Sequence, residues 1–308
     1  MIPLLLLYKI AQLFAVMIIG FILVKSKVLT AADSRVFSKT ALYVLMPAVL
    51  INSFNISMTP EIQKGLILAF SAAIAIHILL FIIDAIYKKA SAASGTERAS
   101  VIYSNAANLI IPIVGFVLGE EWVIYSCAFV AVQIIFIWTK GIRLFEQEGK
   151  VNYRKIILNP CILATLAGLF LMVTGLRLPE FVTGIASSLG SMVGNVGMLI
   201  AGMLMADVSF KKIFAHKRVY LAVAMRMLVC PFVVLMLLKL ICTFVSFQNA
   251  QNILLISFLA SMTPSASMVT QMAQVYEGDE EMAVSINIVS TLLCIVTMPI
   301  FVSLYQMI

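Results

Sequence analysis

Long apolar runs separated by short polar segments fill this sequence. Ten can be drawn, at about 4–24, 36–56, 65–87, 99–118, 122–144, 156–175, 181–206, 218–245, 250–275 and 281–305. A helix needs about 20 apolar residues to cross a bilayer, so each run predicts one transmembrane helix. The runs are continuous rather than alternating and exceed the length of barrel strands, which argues against a β-barrel. Hydrophobic residues make up 62% of the 308 and charged residues only 11%, against roughly 45–50% and about 25% in an ordinary soluble domain. A water-soluble enzyme or binding domain is therefore excluded. The expected fold class is an all-α polytopic membrane protein with ten transmembrane helices.

The basic residues test this division. One loop holds Lys25, Lys27, Arg35 and Lys39; another holds Lys88, Lys89 and Arg98. A third holds Lys140, Arg143, Lys150, Arg154 and Lys155, and a fourth Lys211, Lys212, Lys217 and Arg218. Sixteen of the 21 Lys and Arg thus sit in every second loop, whereas the alternate loops carry only Lys64 and Arg177. Cytoplasmic loops retain Lys and Arg, so the pattern predicts a plasma-membrane protein with both termini outside the cytoplasm. One expected cytoplasmic loop is acidic, with Glu277, Asp279, Glu280 and Glu281, but acidic residues contribute little to orientation. The net charge of +7 is explained by these loops without invoking nucleic acid. The five cysteines, Cys127, Cys161, Cys230, Cys242 and Cys294, lie inside apolar runs with no metal-ligand spacing, and read as packing residues. The first run is long for a signal-peptide core and lacks a basic start and a cleavage site, so it is expected to be the first span.

An internal repeat is also visible. Gly119-Glu120-Glu121 follows the fourth run and Gly278-Asp279-Glu280 follows the ninth, 159 residues later. Upstream of each lies a polar interruption: Ser104-Asn105-Ala106-Ala107-Asn108 running to Pro112, and Ser261-Met262-Thr263-Pro264-Ser265-Ala266-Ser267. Two homologous halves of five spans insert with opposite orientation. The expectation is an inverted pair, residues 1–149 and 150–308, forming one membrane unit.

The interruptions carry the chemistry. A helix in hydrocarbon must satisfy its own backbone, and proline both removes a donor and clashes with the preceding turn. Pro112 and Pro264, beside Asn and Ser, predict opened helices. The amino end of a half-helix offers unpaired N–H groups and partial positive charge to a carboxylate or similar anion. Two such breaks at the midplane of an inverted repeat make a substrate site. The expected substrate-binding residues are Asn105, Asn108, Pro112, Pro264, Ser265 and Ser267. Asn105 and Asn108 would share a helical face, and an asparagine holds a ligand without burying charge.

Other polar residues in the spans rank lower. Ser104, Gln133, Asn195 and Asn287 are candidates for a support or ion site, although each, like Asn52, could simply bridge neighbouring helices. Pro47, Pro231 and Pro299 read as kinks. Gly190, Gly194, Gly197 and Gly202 predict close packing of the seventh span. His77 reads as a hydrogen-bonded core residue before it reads as a proton relay. Arg226 is expected to snorkel to the cytoplasmic surface, with attraction of an anionic substrate as the alternative. Asp84 and Asp207 are expected to meet Lys88, Lys89 or Lys211. The sequence holds no phosphate-binding glycine loop with its lysine, no HExxH pair and no GxSxG elbow. ATP-driven transport by this chain alone and enzymatic activity are not expected.

A series of segments, in order along the chain, resembles the auxin efflux carrier family, which includes bacterial permeases and plant auxin exporters. They are Leu45 through Phe54, Ser104 through Ile113, Gly119-Glu120-Glu121, Gln133 through Trp138, Gly202 through Asp207, Pro264 through Ser267, and Met298-Pro299-Ile300. The resemblance implies ten spans in two inverted five-helix repeats with crossed fourth and ninth helices, an arrangement shared with bile-acid sodium symporter-like proteins. It implies secondary transport of organic anions such as carboxylates, by elevator-type movement of one bundle against the other. By matching position it makes Asn105 the crossover asparagine, Pro264 the crossover proline of the ninth helix, and Gln133 part of a polar support site. Ser104 stands where plant members have proline, and Phe70 where they place an acidic residue. The expected partners are a small organic anion, the lipid bilayer and, as an assembly, a homodimer. No cofactor is expected, and the coupling ion is left open between H⁺, Na⁺ and none. A membrane sensor or channel-like protein on the same fold is the alternative function.

Overall fold

The computed structural model describes residues 2–55, 59–145, 158–207, 216–245, 247–276 and 278–307. The expected boundary between the halves at 149/150 lies outside them, as do Lys150, Arg154, Lys155, Lys211, Lys212 and Glu277. Among the described residues the chain is helical, and its β-type pairing is an isolated bridge.

Among the described residues, seven helices are long and apolar enough to cross a membrane. They are α1 (Ile2–Lys25), α2 (Ala31–Ser53), α3 (Pro60–Ser91), α6 (Glu120–Leu144), α8 (Glu180–Ala206), α9 (Lys217–Phe244) and α12 (Glu280–Met307). Shorter apolar helices are α5 (Ala106–Val117), α7 (Pro160–Thr174) and α10 (Ala250–Ser261). Two more short helices are α4 (Gly95–Ile102) and α11 (Ser267–Val275). The fourth and ninth apolar runs are each divided, into α4 with α5 and into α10 with α11.

Local chemistry sets these limits. Thr59 Oγ1 accepts from the Ile62 N–H at the start of α3, where Pro60 occupies the first turn without a donor to lose. Ser94 and Glu97 form a reciprocal capping box at the start of α4. Asn159 Oδ1 accepts from Cys161 N–H before α7, and Gly175 ends that helix with φ +72°. Pro47 and Pro231 each follow a π turn, at Ala41–Leu45 and Met225–Val229. The wider turn accommodates the hydrogen bond that proline cannot make, so both helices continue.

The helices sort into two groups by contact. α1, α2, α7 and α8 pack on one another, and α3–α6 with α9–α12 form the second group. The glycines of α8 face neighbours, as their spacing predicts. A Cβ on Gly202 would fall onto the Met17 carbonyl of α1, and one on Gly190 would approach Val49 of α2. Cβ atoms on Gly194 and Gly197 would strike Pro112 and Asn108 of α5. α8 and α1, which also packs on α5 and α12, thus form the seam between the two groups. Leu7, Ile18 and Ile22 of α1, Ile78 and Ile82 of α3, Phe170 of α7 and Phe232 of α9 are exposed. So much apolar surface is the face of a protein solvated by lipid.

Two ion pairs tie the ends of α3, α4 and α9. Arg98 grips Asp84 with two bonds of 2.8 Å, and Arg218 Nε lies 2.9 Å from Glu97 Oε1 while its Nη2 donates to the carbonyls of Ser91 and Ala92. Asp84 thus meets Arg98 and not the lysine expected for it. The planar guanidinium matches both carboxylate oxygens, which an ammonium cannot do.

Candidate functional site

α4 and α10 end near each other because their last residues cannot continue the helix. Tyr103 is extended (φ −94°, ψ 128°), and so is Ala266 (φ −64°, ψ 133°) just beyond Pro264. Each break orphans backbone groups that need partners away from water. The two extended segments partly solve this by crossing. Asn105 N–H donates to the Pro264 carbonyl at 2.8 Å, and Ala266 N–H to the Tyr103 carbonyl at 3.0 Å, forming an antiparallel bridge between Ser104 and Ser265.

Side chains on two flanking helices complete the bonding. Gln133 of α6 accepts from Ser104 N–H at 3.0 Å and from its hydroxyl at 2.6 Å, and donates to its carbonyl at 2.8 Å. On the other strand, Asn287 of α12 donates to the Ser265 carbonyl at 2.6 Å, and Ser290 Oγ accepts from Ser265 N–H at 3.1 Å. Both serines are buried, and both backbone groups of each are held. The structure brings Ser104, Gln133, Asn287, Pro264 and Ser265 together at this crossing.

Beyond the crossing, the helices restart as α5 and α11. Their first turns carry N–H groups without intrahelical acceptors. Neither is capped by a side chain: the cap position of α11 is Ala266, and the amide of Asn105 is engaged elsewhere, accepting from Asn108 Nδ2 at 3.0 Å. That bond confirms that Asn105 and Asn108 share a face. The two amino ends open on a cavity of about 70 Å³ lined by Ser104, Asn105, Asn108, Gln133, Ser267 and Gln271 from the second group of helices. Ser38 and Met46 of α2, Cys161 of α7 and Ile200 of α8 close it from the first group. Among the described residues, none that lines it is charged. The Ser267 hydroxyl is buried and has no hydrogen-bond partner among the described residues. Two half-helix amino ends, amide side chains and hydroxyls can bind one small anion by dipoles alone.

Two expected site residues lie elsewhere. Pro112 is inside α5, its ring packed against Gly194, away from the break at Tyr103–Asn105. Asn195 is exposed on α8 and does not line the cavity. Helical periodicity places it one turn from Ile200 but on another face.

The opposite side of the crossing overturns the expectation for Arg226. It does not snorkel; it is fully buried. Its Nη1 donates to the carbonyls of Val101 (3.1 Å) and Ile102 (3.3 Å), its Nε to Thr263 (3.0 Å), and its Nη2 to Thr263 (2.7 Å) and Ser261. Snorkelling relieves a cation that has no partners at depth. Here the carboxyl ends of α4 and α10 supply acceptors for the whole guanidinium. A lone arginine inside an apolar run was the signal, since an ionisable residue at that depth needs a role. Ser290 and Gln271 had no sequence signal beyond polarity.

His77 is buried in α3, its Nδ1 2.7 Å from the Ala73 carbonyl and its ring 5.1 Å from that of Phe129 and 5.3 Å from that of Phe136. It is a core residue in an aromatic cluster.

The model of the membrane transport protein family matches the chain over residues 5–153 and 147–302. Among curated proteins, none matches it.

Proposed function

Since the chain belongs to the membrane transport protein (auxin efflux carrier) family, we propose that it is a secondary carrier for a small organic anion of the carboxylate type in the plasma membrane. The observation that carries this reading is the uncharged cavity onto which the uncapped amino ends of α5 and α11 converge. Asn105, Asn108, Ser267 and Gln271 would orient the carboxylate, and the backbone N–H groups would meet its charge. Without a fixed cation in the cavity wall, the anion is held weakly enough to leave again.

Counting α4 with α5 and α10 with α11 as single crossings gives ten spans. The similar support of Ser104 by α6 and of Ser265 by α12 favours two inverted repeats, 1–149 and 150–308, with both termini outside. The cavity lies where α2, α7 and α8 face the second group of helices, which favours an elevator movement of that group along the first. Its small volume favours an occluded carrier over an open channel, since pockets for drug-sized ligands run to roughly 300–1,000 Å³.

Counterflow in proteoliposomes tests the reading with a panel of labelled mono- and dicarboxylates. The wild type should show saturable exchange stimulated by substrate on the far side, and Asn105→Ala should abolish it. Flux without trans-stimulation would favour the channel alternative, and normal exchange by Asn105→Ala would remove the site from this cavity.

A further inference from the structure

The crossing has two electrically opposite sides, and the Arg226 side is already filled. The carboxyl end of a helix carries about half an elementary negative charge, so α4 and α10 together present about one. A buried guanidinium is costly unless its charge and its donors are both met. No carboxylate pairs with Arg226 among the described residues. Its counter-charge is instead the four carbonyls of Val101, Ile102, Ser261 and Thr263, drawn from both broken helices. Arg226 reaches them from the π turn Met225–Val229 of α9, a third helix that neither break contains.

We propose that Arg226 is the resident cation of the crossing. It occupies the cage of carbonyl oxygens where a free metal cation would otherwise be needed to offset the two carboxyl ends. The anion site is therefore complete without Na⁺. The amino ends of α5 and α11 are left with about one uncompensated positive charge. They match a monovalent anion, whose arrival makes the loaded crossing neutral. The consequence for transport rests on the carrier reading above; the role of Arg226 at the crossing does not. Arg226 acts through the two helix breaks rather than by touching substrate, so it is a positioning residue.

The test uses the purified full chain in detergent, as wild type, Arg226→Lys and Arg226→Ala. Each is melted in sodium chloride, in choline chloride, and in choline chloride with low-millimolar methylguanidinium or tetramethylammonium. The wild type should melt at the same temperature in Na⁺ and choline. Arg226→Ala should melt lower and regain about 2–4 °C, saturably, with methylguanidinium alone. Arg226→Lys should fall between, because an ammonium has three donors and no planar fork. A saturable Na⁺-dependent rise in the wild-type Tm overturns the proposal, and so does an Arg226→Ala protein that melts like wild type. If Arg226→Ala yields no folded protein, wild-type counterflow in Na⁺-free choline buffer decides. An undiminished rate supports the proposal and a tenfold fall refutes it. Failure of every carboxylate to exchange, with or without Na⁺, would sink the carrier reading while the melting data still judge Arg226.

Discussion

Replacing Gln133 by leucine removes three hydrogen bonds at once while nearly conserving volume. In the native protein the Gln133 amide holds Ser104 N–H (3.0 Å), its hydroxyl (2.6 Å) and its carbonyl (2.8 Å). The hydroxyl can rotate towards another acceptor, but the two backbone groups are fixed by the bridge to Ser265. Leaving a buried donor or acceptor unpaired costs about 1–3 kcal/mol, so the pair costs roughly 2–6 kcal/mol. At roughly 2 °C per kcal/mol, a conservative figure for a chain of this size, the Tm of Gln133→Leu should fall by at least about 4 °C. Gln133→Glu, as the neutral acid, offers an acceptor oxygen and an O–H donor in place of the amide, so its deficit at low pH should be smaller. Melting is read from the fluorescence of Trp122 and Trp138 in detergent, with counterflow measured on the same preparations. Exchange should fall in both variants, because the break that opens the amino end of α5 is no longer held. A Gln133→Leu protein melting within about a degree of wild type would show that the amide does not support the crossing, and the reasoning would fail with it.

The other half of the crossing should respond likewise: Ser290→Ala unpairs the buried Ser265 N–H and should cost about 1–3 kcal/mol, read as a lowered Tm. Asn105→Ala loses only the bond from Asn108, about 0.5–1.5 kcal/mol, so expression should persist while counterflow disappears. An equal loss of folded protein would instead mark Asn105 as a stability residue. Gly202→Ala drives a methyl into the Met17 carbonyl and should sharply lower the yield of folded protein by prising α8 from α1. Gly184→Ala, in open space on the same helix, should raise stability by up to about 1 kcal/mol; matching melts for the two glycine variants would contradict the packing described.

Much of this was legible in the sequence because membrane helices obey few rules. The apolar runs foretold an all-helical chain with several membrane-spanning helices, and the polar interruptions marked the two breaks. The spacing of Asn105 and Asn108 foretold their shared face, and the glycines at 190, 194, 197 and 202 marked the seam. Pro112 misleads because a proline in a span need not mark the break itself. The break lies earlier, where Tyr103 and Ser104 turn extended and find partners in the other broken helix. Asn195 misled because polarity alone does not say which face of a helix a residue occupies. Arg226 was misread for a related reason. Its acceptors come from residues 101–102 and 261–263, far away in sequence, and no local pattern can report a carbonyl cage assembled from two helices. Ser290 was invisible because a serine in a span usually bonds its own backbone, as this one also does with the Asn287 carbonyl.

The most direct measurement is a crystal structure of the protein with a brominated short-chain carboxylate, chosen because it raises the Tm. The anomalous peak should lie in the cavity beside Asn105, Asn108 and Ser267, with the carboxylate within hydrogen-bonding distance of the first N–H groups of α5 and α11. A peak on the Arg226 side of the crossing, or on the lipid-facing surface alone, would contradict an anion site built from two helix amino ends.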